Sequence, residues 1–297
     1  MKECIKVSND KVVRNIKKII KKIFNYNGNN YYYDQFQKVS QQLEYLKQHI
    51  DAKDIKKTTG YERKQQIELV EFVADYLKSI EELGIKPFLI AGSLVGQYRH
   101  NGFVPWDDDM DFGLIRTDYE CLVKYCKKNY PYYIYDKIDG NLQDWIDECT
   151  KANAGKNILF IYDNQVQISY GTSVLDRKCI DFFSFDYYSE NESFSHYSHY
   201  LNQLKERLSN PQLSIKDRYE IVRRELLTQK FCVEHSNKIY FGLDDMETFK
   251  RMFNEKWINE KDVFPLVKRK FEGYEFWTPN NVKNFLMYEY PDFEKIP

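Results

Sequence analysis

No stretch of this chain approaches the roughly 20 consecutive apolar residues that cross a bilayer, and no uncharged apolar segment follows Met1. Neither a spanning helix nor a secretory signal peptide is therefore expected. Net charge is nearly absent as well: 44 Lys and Arg stand against 45 Asp and Glu, leaving −1. Nucleic-acid binding usually needs a basic surface, so no nucleic-acid partner is expected. The six cysteines show no C-x-x-C spacing, which reads as free thiols in a cytoplasmic chain. There is no G-x-x-x-x-G-K-[ST] run, which argues against a P-loop kinase. No Ser-His-Asp arrangement, internal repeat or low-complexity tract is legible.

What is present reads as an α+β protein. The 297 residues, 42% hydrophobic and 30% charged, suffice for a substantial core. Residues 1–33 are expected to form a basic amphipathic helix and a linker, and residues 34–297 the main folded domain. Val12, Ile16, Ile19, Ile20 and Ile23 share one helical face over Lys11–Phe24, among six positive charges and no negative one. That composition suits a helix lying on an anionic membrane surface, or one docked on its own domain with a solvated basic face. The polar, aromatic run Asn25–Tyr33 predicts a loop. Helices are predicted over Asp34–Ile50, Arg63–Leu83, Ser93–His100, Asp118–Lys128 with Thr117 as N-cap, Tyr197–Leu208, Ile215–Val233 and Asn280–Tyr288. Strands are predicted over Pro87–Ala91, Met110–Ile115, Tyr132–Lys137, Ile158–Asp163, Val166–Tyr170 and Lys178–Ser184, with a hairpin over Val267–Phe276 turning at Glu272-Gly273.

The densest chemistry lies in Phe88–Asp111, FLIAGSLVGQYRHNGFVPWDDDMD. A Gly-Ser turn at Gly92 and Ser93 follows a hydrophobic strand, and such a turn can bring backbone donors to a phosphate. On the next short strand Asp109 and Asp111 alternate, which points both carboxylates to one side. Like charges so placed repel, and a divalent cation between them is the simplest remedy. The best third partner is Asp181, set between Ile180 and Phe182 in CIDFFSFD, where an uncompensated carboxylate is costly to bury. The bland alternative is that Asp181 marks a strand end or pairs with Lys178. Arg99 suits a bidentate grip on a diphosphate or on a neighbouring Asp. His100 would donate to a phosphate or make a structural bond. Trp106 packs under its loop or stacks on a pyrimidine, and one of Asp107 and Asp108 caps the turn or binds Arg99. Arg116 serves substrate binding or pairs with Asp118.

The segment Gly92–Asp118, GSLVGQYRHNGFVPWDDDMDFGLIRTD, resembles the signature of the LicD/fukutin-type phosphotransferases. Three later pieces fit in the same order: IDFFSFD at Ile180–Asp186, VFPLVKRKFEG at Val263–Gly273, and the tail from Phe276. The likeness runs from about Gln66 to the end. It implies a nucleotidyltransferase-like mixed sheet with packed helices and helical additions. It implies transfer of phosphocholine, or a similar phospho-alcohol, from a CDP-alcohol donor to a hydroxyl of a cell-surface glycan or lipid-linked saccharide, with Mg²⁺, or Mn²⁺ in its place, as a pair of ions. Asp109, Asp111 and Asp181 become the catalytic and metal carboxylates, and Gly92 and Ser93, with Arg99 and His100, the donor-binding set. The sequence departs from the pattern at Ala91-Gly92-Ser93, where the family has a Gly-Gly-type turn, and at Glu289, which stands in the Gly position of a YGDY-like ending. Two other readings stay open: a nucleotidyltransferase that makes or uses a CDP-alcohol, and a non-catalytic glycan-binding protein. The resemblance also implies work at the inner face of the cell membrane, with peripheral contact through residues 11–24. A choline group would call for an aromatic cage, for which Tyr132, Tyr133, Tyr135, Trp145 and Tyr162 offer rings; the alternative is ordinary packing in a Tyr-rich chain.

Overall fold

The computed structural model describes residues 30–134, 142–162, 165–245 and 256–295. The Lys11–Phe24 segment and Tyr135 lie outside them. The chain divides into two compact units, Met1–Ile55 with Lys295–Pro297, and Lys56–Glu294. The described part of the first is helix α1 (Asn30–His49) and a single turn, Ala52–Asp54. The loop expected up to Tyr33 thus gives way to helix at Asn30: the last strong breaker in that run is Gly28, and the tyrosines that follow tolerate a helix.

The second unit is a mixed α+β fold around one twisted sheet. Its strands are β1 (Phe88–Leu89), β2 (Asp111–Ile115), β3 (Tyr132–Ile134), β4 (Ile158–Tyr162), β5 (Gln165–Tyr170), β6 (Lys178–Tyr188), β7 (Cys232–Val233), β8 (Lys238–Phe241), β9 (Ile258–Asn259), β10 (Val267–Phe271) and β11 (Tyr274–Thr278). They run in the order β10-β11-β1-β2-β6-β5-β4-β3, with β7 and β8 also paired to the long β6, and β9 to β8. β2 and β6 are parallel neighbours, whereas β1 runs antiparallel to β2, and β5 antiparallel to β6. The helices are α2 (Gly60–Glu81), α3 (Ala91–His100), α4 (Arg116–Asn129), α5 (Leu142–Ala152), α6 (Phe194–Leu208), α7 (Ile215–Thr228), α8 (Glu260–Val263) and α9 (Val282–Glu289).

Periodicity explains how the layers form. Along α2, Leu69, Val70, Val73, Tyr76, Leu77 and Ile80 recur at helical spacing and are all buried. Each full burial of such an aliphatic side chain contributes about 1.5–3 kcal/mol. Tyr76 meets Phe182 of β6 at 6.4 Å between ring centroids, so α2 covers one face of the central strands. The other face carries Phe88 and Phe185, which meet Phe285 of α9 at 6.2 Å.

Several helix boundaries differ from expectation, two of them for reasons the hydrogen bonds show. α4 follows β2 directly, beginning at Arg116 with Ile115 in the N-cap position and no side-chain cap, so Thr117 does not cap it. α7 stops at Thr228: Gln229 turns extended, its Oε1 accepts from the N–H groups of Phe231 and Cys232, and Cys232–Val233 goes to β6. The hairpin through Glu272-Gly273 forms as predicted. Cys121, Cys126, Cys149, Cys179 and Cys232 are free thiols.

Candidate metal centre

Register brings the carboxylates together. Asp111 on β2 lies directly across from Asp181 on the parallel strand β6, and Asp181 N–H donates to the Met110 carbonyl at 3.1 Å. Side chains of paired residues emerge on one face of a sheet. Asp109 precedes β2 by two residues, and single ligand atoms from Asp109, Asp111 and Asp181 all lie within 4.8 Å of one another. Lys178, considered as a partner for Asp181, instead approaches Glu68 at 3.3 Å.

In this cluster burial and like charge act in the same direction. Burial pushes the Asp111 carboxyl well above its usual value, and the neighbouring Asp109, Asp181, Asp107 and Glu289 push it further. Asp109 is raised too, by burial and then by Asp108. Asp107 is raised to about 7, again by burial first and then by Asp109 and Asp108. Three carboxylate oxygens so close, in a half-buried site, fit the oxygen-rich coordination that Mg²⁺ and Mn²⁺ prefer. The residues present therefore suit a divalent cation.

The Gly-Ser turn sits at the start of α3. Ser93 is 1% exposed, and its Oγ accepts from the Asp111 N–H at 3.0 Å. The serine thus locks the metal strand to the helix that follows β1. Gly92 has no room for a side chain, since a Cβ there would stand 2.8 Å from Oδ2 of Asp107. Ala91 takes the left-handed backbone, φ 49°, which costs a non-glycine residue about 1–2 kcal/mol. Glu289 of α9 braces it: its Oε2 accepts from the Ala91 N–H at 3.0 Å. Its Oε1 is buried with no hydrogen-bond partner among the described residues, and burial raises its carboxyl to about 8.

Other candidates fall elsewhere. Arg99 and His100 end α3, seven and eight residues beyond Gly92. At 1.5 Å per residue they stand on the order of 10 Å along the axis from the turn. Burial lowers the pKa of His100, helped by the charges of Arg99 and Lys57. Trp106 does not pack under its loop; it is 54% exposed. Arg116 turns away from Asp118: it grips Asp186 and Asp244, while Asp118 accepts from the Lys86 N–H. Two of the proposed cage rings are engaged in packing: Trp145 stacks edge-on to Phe160 at 5.4 Å, and Tyr133 lies 6.0 Å from Phe160. Tyr132 is exposed, with Lys127 over its ring.

Three residues with a part in the site were missed. Gln66 is a polar residue on the buried stripe of α2, a legible signal, and its Nε2 donates to the Asp107 carbonyl at 2.9 Å, anchoring the acidic loop. Gln167 donates from Nε2 to Asp181 Oδ1 at 2.8 Å. Glu289 read only as a departure from a motif.

Residues 84–212 match the family described as LicD/FKTN/FKRP, nucleotidyltransferase domain. The chain is 23% identical over 261 residues to the lipopolysaccharide cholinephosphotransferase LicD of Haemophilus influenzae, covering 79% of this chain and 92% of that protein. Shorter likenesses, 33% identical over 55 residues, connect it to uncharacterised proteins of Rickettsia prowazekii and Rickettsia typhi; these cover 18% of this chain and 21% and 18% of the relatives. The domain match and the distant relative support assignment at the level of this family. With the three-carboxylate cluster they support a metal-dependent activity of the general nucleotidyltransferase or phosphotransferase type.

Proposed function

We propose that this protein transfers a phospho-alcohol, phosphocholine or a similar group, from a CDP-alcohol to a hydroxyl of a cell-surface glycan or lipid-linked saccharide. The observation that carries the reading is the meeting of Asp111 and Asp181 on adjacent strands with Asp109 just before the first, inside the matched domain. The name of the Haemophilus relative, a lipopolysaccharide cholinephosphotransferase, supports the transferred group and the acceptor class. Asp109, Asp111 and Asp181 would hold Mg²⁺ or Mn²⁺, two ions in our reading, and such ions supply charge stabilisation on a phosphoryl group and acidify a bound hydroxyl. The chain's own residues do the positioning. Ser93 ties the start of α3 to the metal strand. Glu289 holds the turn at Ala91, and Gln66 fixes the loop that carries Asp107.

The test is release of CMP from a panel of CDP-alcohols, with and without divalent ions, in the presence of glycan acceptors. Metal-dependent CMP release is expected. Folded protein that releases none from any donor would overturn the reading. The family description, a nucleotidyltransferase domain, favours a second reading in which the protein makes a CDP-alcohol from CTP; pyrophosphate in place of CMP would select it. We place the enzyme at the inner face of the cell membrane, held there by residues 11–24, whose six positive charges would each contribute on the order of 1 kcal/mol near an anionic leaflet. Deleting residues 1–24 is expected to reduce binding to anionic liposomes while leaving turnover on a soluble acceptor.

A further inference from the structure

Gln167 is buried on β5, directly across the antiparallel pairing from Asp181. Its amide is used at both ends. Nε2 donates to Asp181 Oδ1 at 2.8 Å, and Oε1 accepts from Arg177 Nη1 at 2.6 Å. A guanidinium can only donate and a carboxylate can only accept, so the amide has a single orientation that satisfies both. Arg177 and Asp181 are thus joined through one neutral group. They are natural partners for a direct, bidentate ion pair, and such a pair would tie up the carboxylate. Direct pairing is seen farther along β6: Arg116 is clamped on Asp186 and Asp244 by direct bonds of 2.7–2.8 Å.

We propose that Gln167 is a neutral spacer. It holds Arg177 one amide away from Asp181, and so fixes that carboxylate's rotation while leaving its charge available to a divalent cation. Gln167 is a positioning residue, acting through Asp181. This rests on the metal reading of the cluster, but it makes a separate prediction, because the spacer matters only where a cation competes with Arg177 for Asp181.

The test is Mn²⁺ affinity of the full-length protein, read by electron paramagnetic resonance of the free ion, which needs no substrate or turnover. Removing the side chain in Gln167→Ala lets Arg177 close on Asp181, and Mn²⁺ binding is expected to weaken about 10–100-fold, the usual scale for residues that orient metal ligands. Arg177→Met removes the competitor and is expected to bind Mn²⁺ at least as well as the parent. Combining it with Gln167→Ala is expected to recover most of the lost affinity. A purely structural glutamine predicts no such recovery. Unchanged affinity in Gln167→Ala, a double variant no better than the single, or an Arg177→Met as weak as Gln167→Ala would each overturn the proposal. Because Arg177 is partly exposed, its variant keeps the question answerable should Gln167→Ala fail to fold. A parent that binds no Mn²⁺ would instead strike at the metal reading itself.

Discussion

The two ends of strands β2 and β6 hold the same kind of residue in opposite electrostatic states. At one end Asp111 and Asp181 face each other beside Asp109. Four residues further on, about 13 Å along a strand, Ile115 pairs with Phe185, and the next residues supply Arg116 and Asp186. There Arg116 donates to both oxygens of Asp186 and both of Asp244, and Ser184 Oγ donates to Asp244 at 2.5 Å. Asp244 is buried yet held below its usual pKa, because Arg116 outweighs the cost of burial. Asp111 goes the other way, raised by burial and by four neighbouring carboxylates. Burial is common to both ends. What differs is that Arg116 bonds directly to the carboxylates at one end, whereas carboxylates crowd Asp111 at the other, which suits that end to a cation from solution.

The strongest way to break this comparison is to remove charge from the uncompensated end. Asp109→Asn or Asp111→Asn is expected to lower metal-dependent turnover about a thousand-fold or more, since a metal's charge stabilisation is worth several kcal/mol and each 1.4 kcal/mol is tenfold. The metal-free fold should survive, because the substitution relieves repulsion; a denaturant melt of each variant checks this. An activity near that of the parent would remove the residue from the site.

The converse experiment is Arg116→Met. Removing one partner of a buried ion pair leaves the other uncompensated and typically costs about 3–5 kcal/mol. Asp186 and Asp244 would both be left in that state, so the unfolding free energy should fall by that amount. Denaturant titration measures it, and a loss below about 1 kcal/mol would show the network to be no more than a surface pair.

A milder perturbation, pH, should separate the two ends by sign. Asp107 and Glu289 bind protons more tightly folded, at about 7 and about 8, than at their ordinary values of 3.8 and 4.5. Folding is therefore favoured while they are protonated, and that contribution is lost as pH rises from 3.8 through about 8. Asp244, held below 3.8, contributes stability that is present above that value and lost as pH falls beneath it. Melting of the metal-free protein is expected to drop toward pH 8, and Asp107→Asn to flatten the slope. A melting temperature that climbs through this window in the parent would contradict the assignment.

The smallest expected effect is at the turn. Ala91→Gly relieves a left-handed backbone and should stabilise by about 1 kcal/mol or less, the gain being offset by the greater freedom of glycine when unfolded. A clear loss of stability would mean that Glu289, not the backbone, governs that position.

Much of the site was legible in the sequence because its logic is local. Alternation put Asp109 and Asp111 on one side, and an apolar strand made Asp181 conspicuous. The supports were hidden because they depend on pairings distant in the chain. Gln167 alternates with Val166 and Ile168 like any half-polar strand, and only the β5–β6 register places it on Asp181. Glu289 lies 198 residues from its partner Ala91. Arg116 was read against its neighbour Asp118, yet a helix that begins at Arg116 sends its side chain to Asp186 and Asp244 instead. Arg99 and His100 end α3, on the order of 10 Å along its axis from the turn.

The most direct test is calorimetric titration of Mn²⁺ into the metal-free full chain. The account predicts saturable binding in the parent and its loss in Asp111→Asn. No binding in the parent, or binding unchanged in Asp111→Asn, would contradict it.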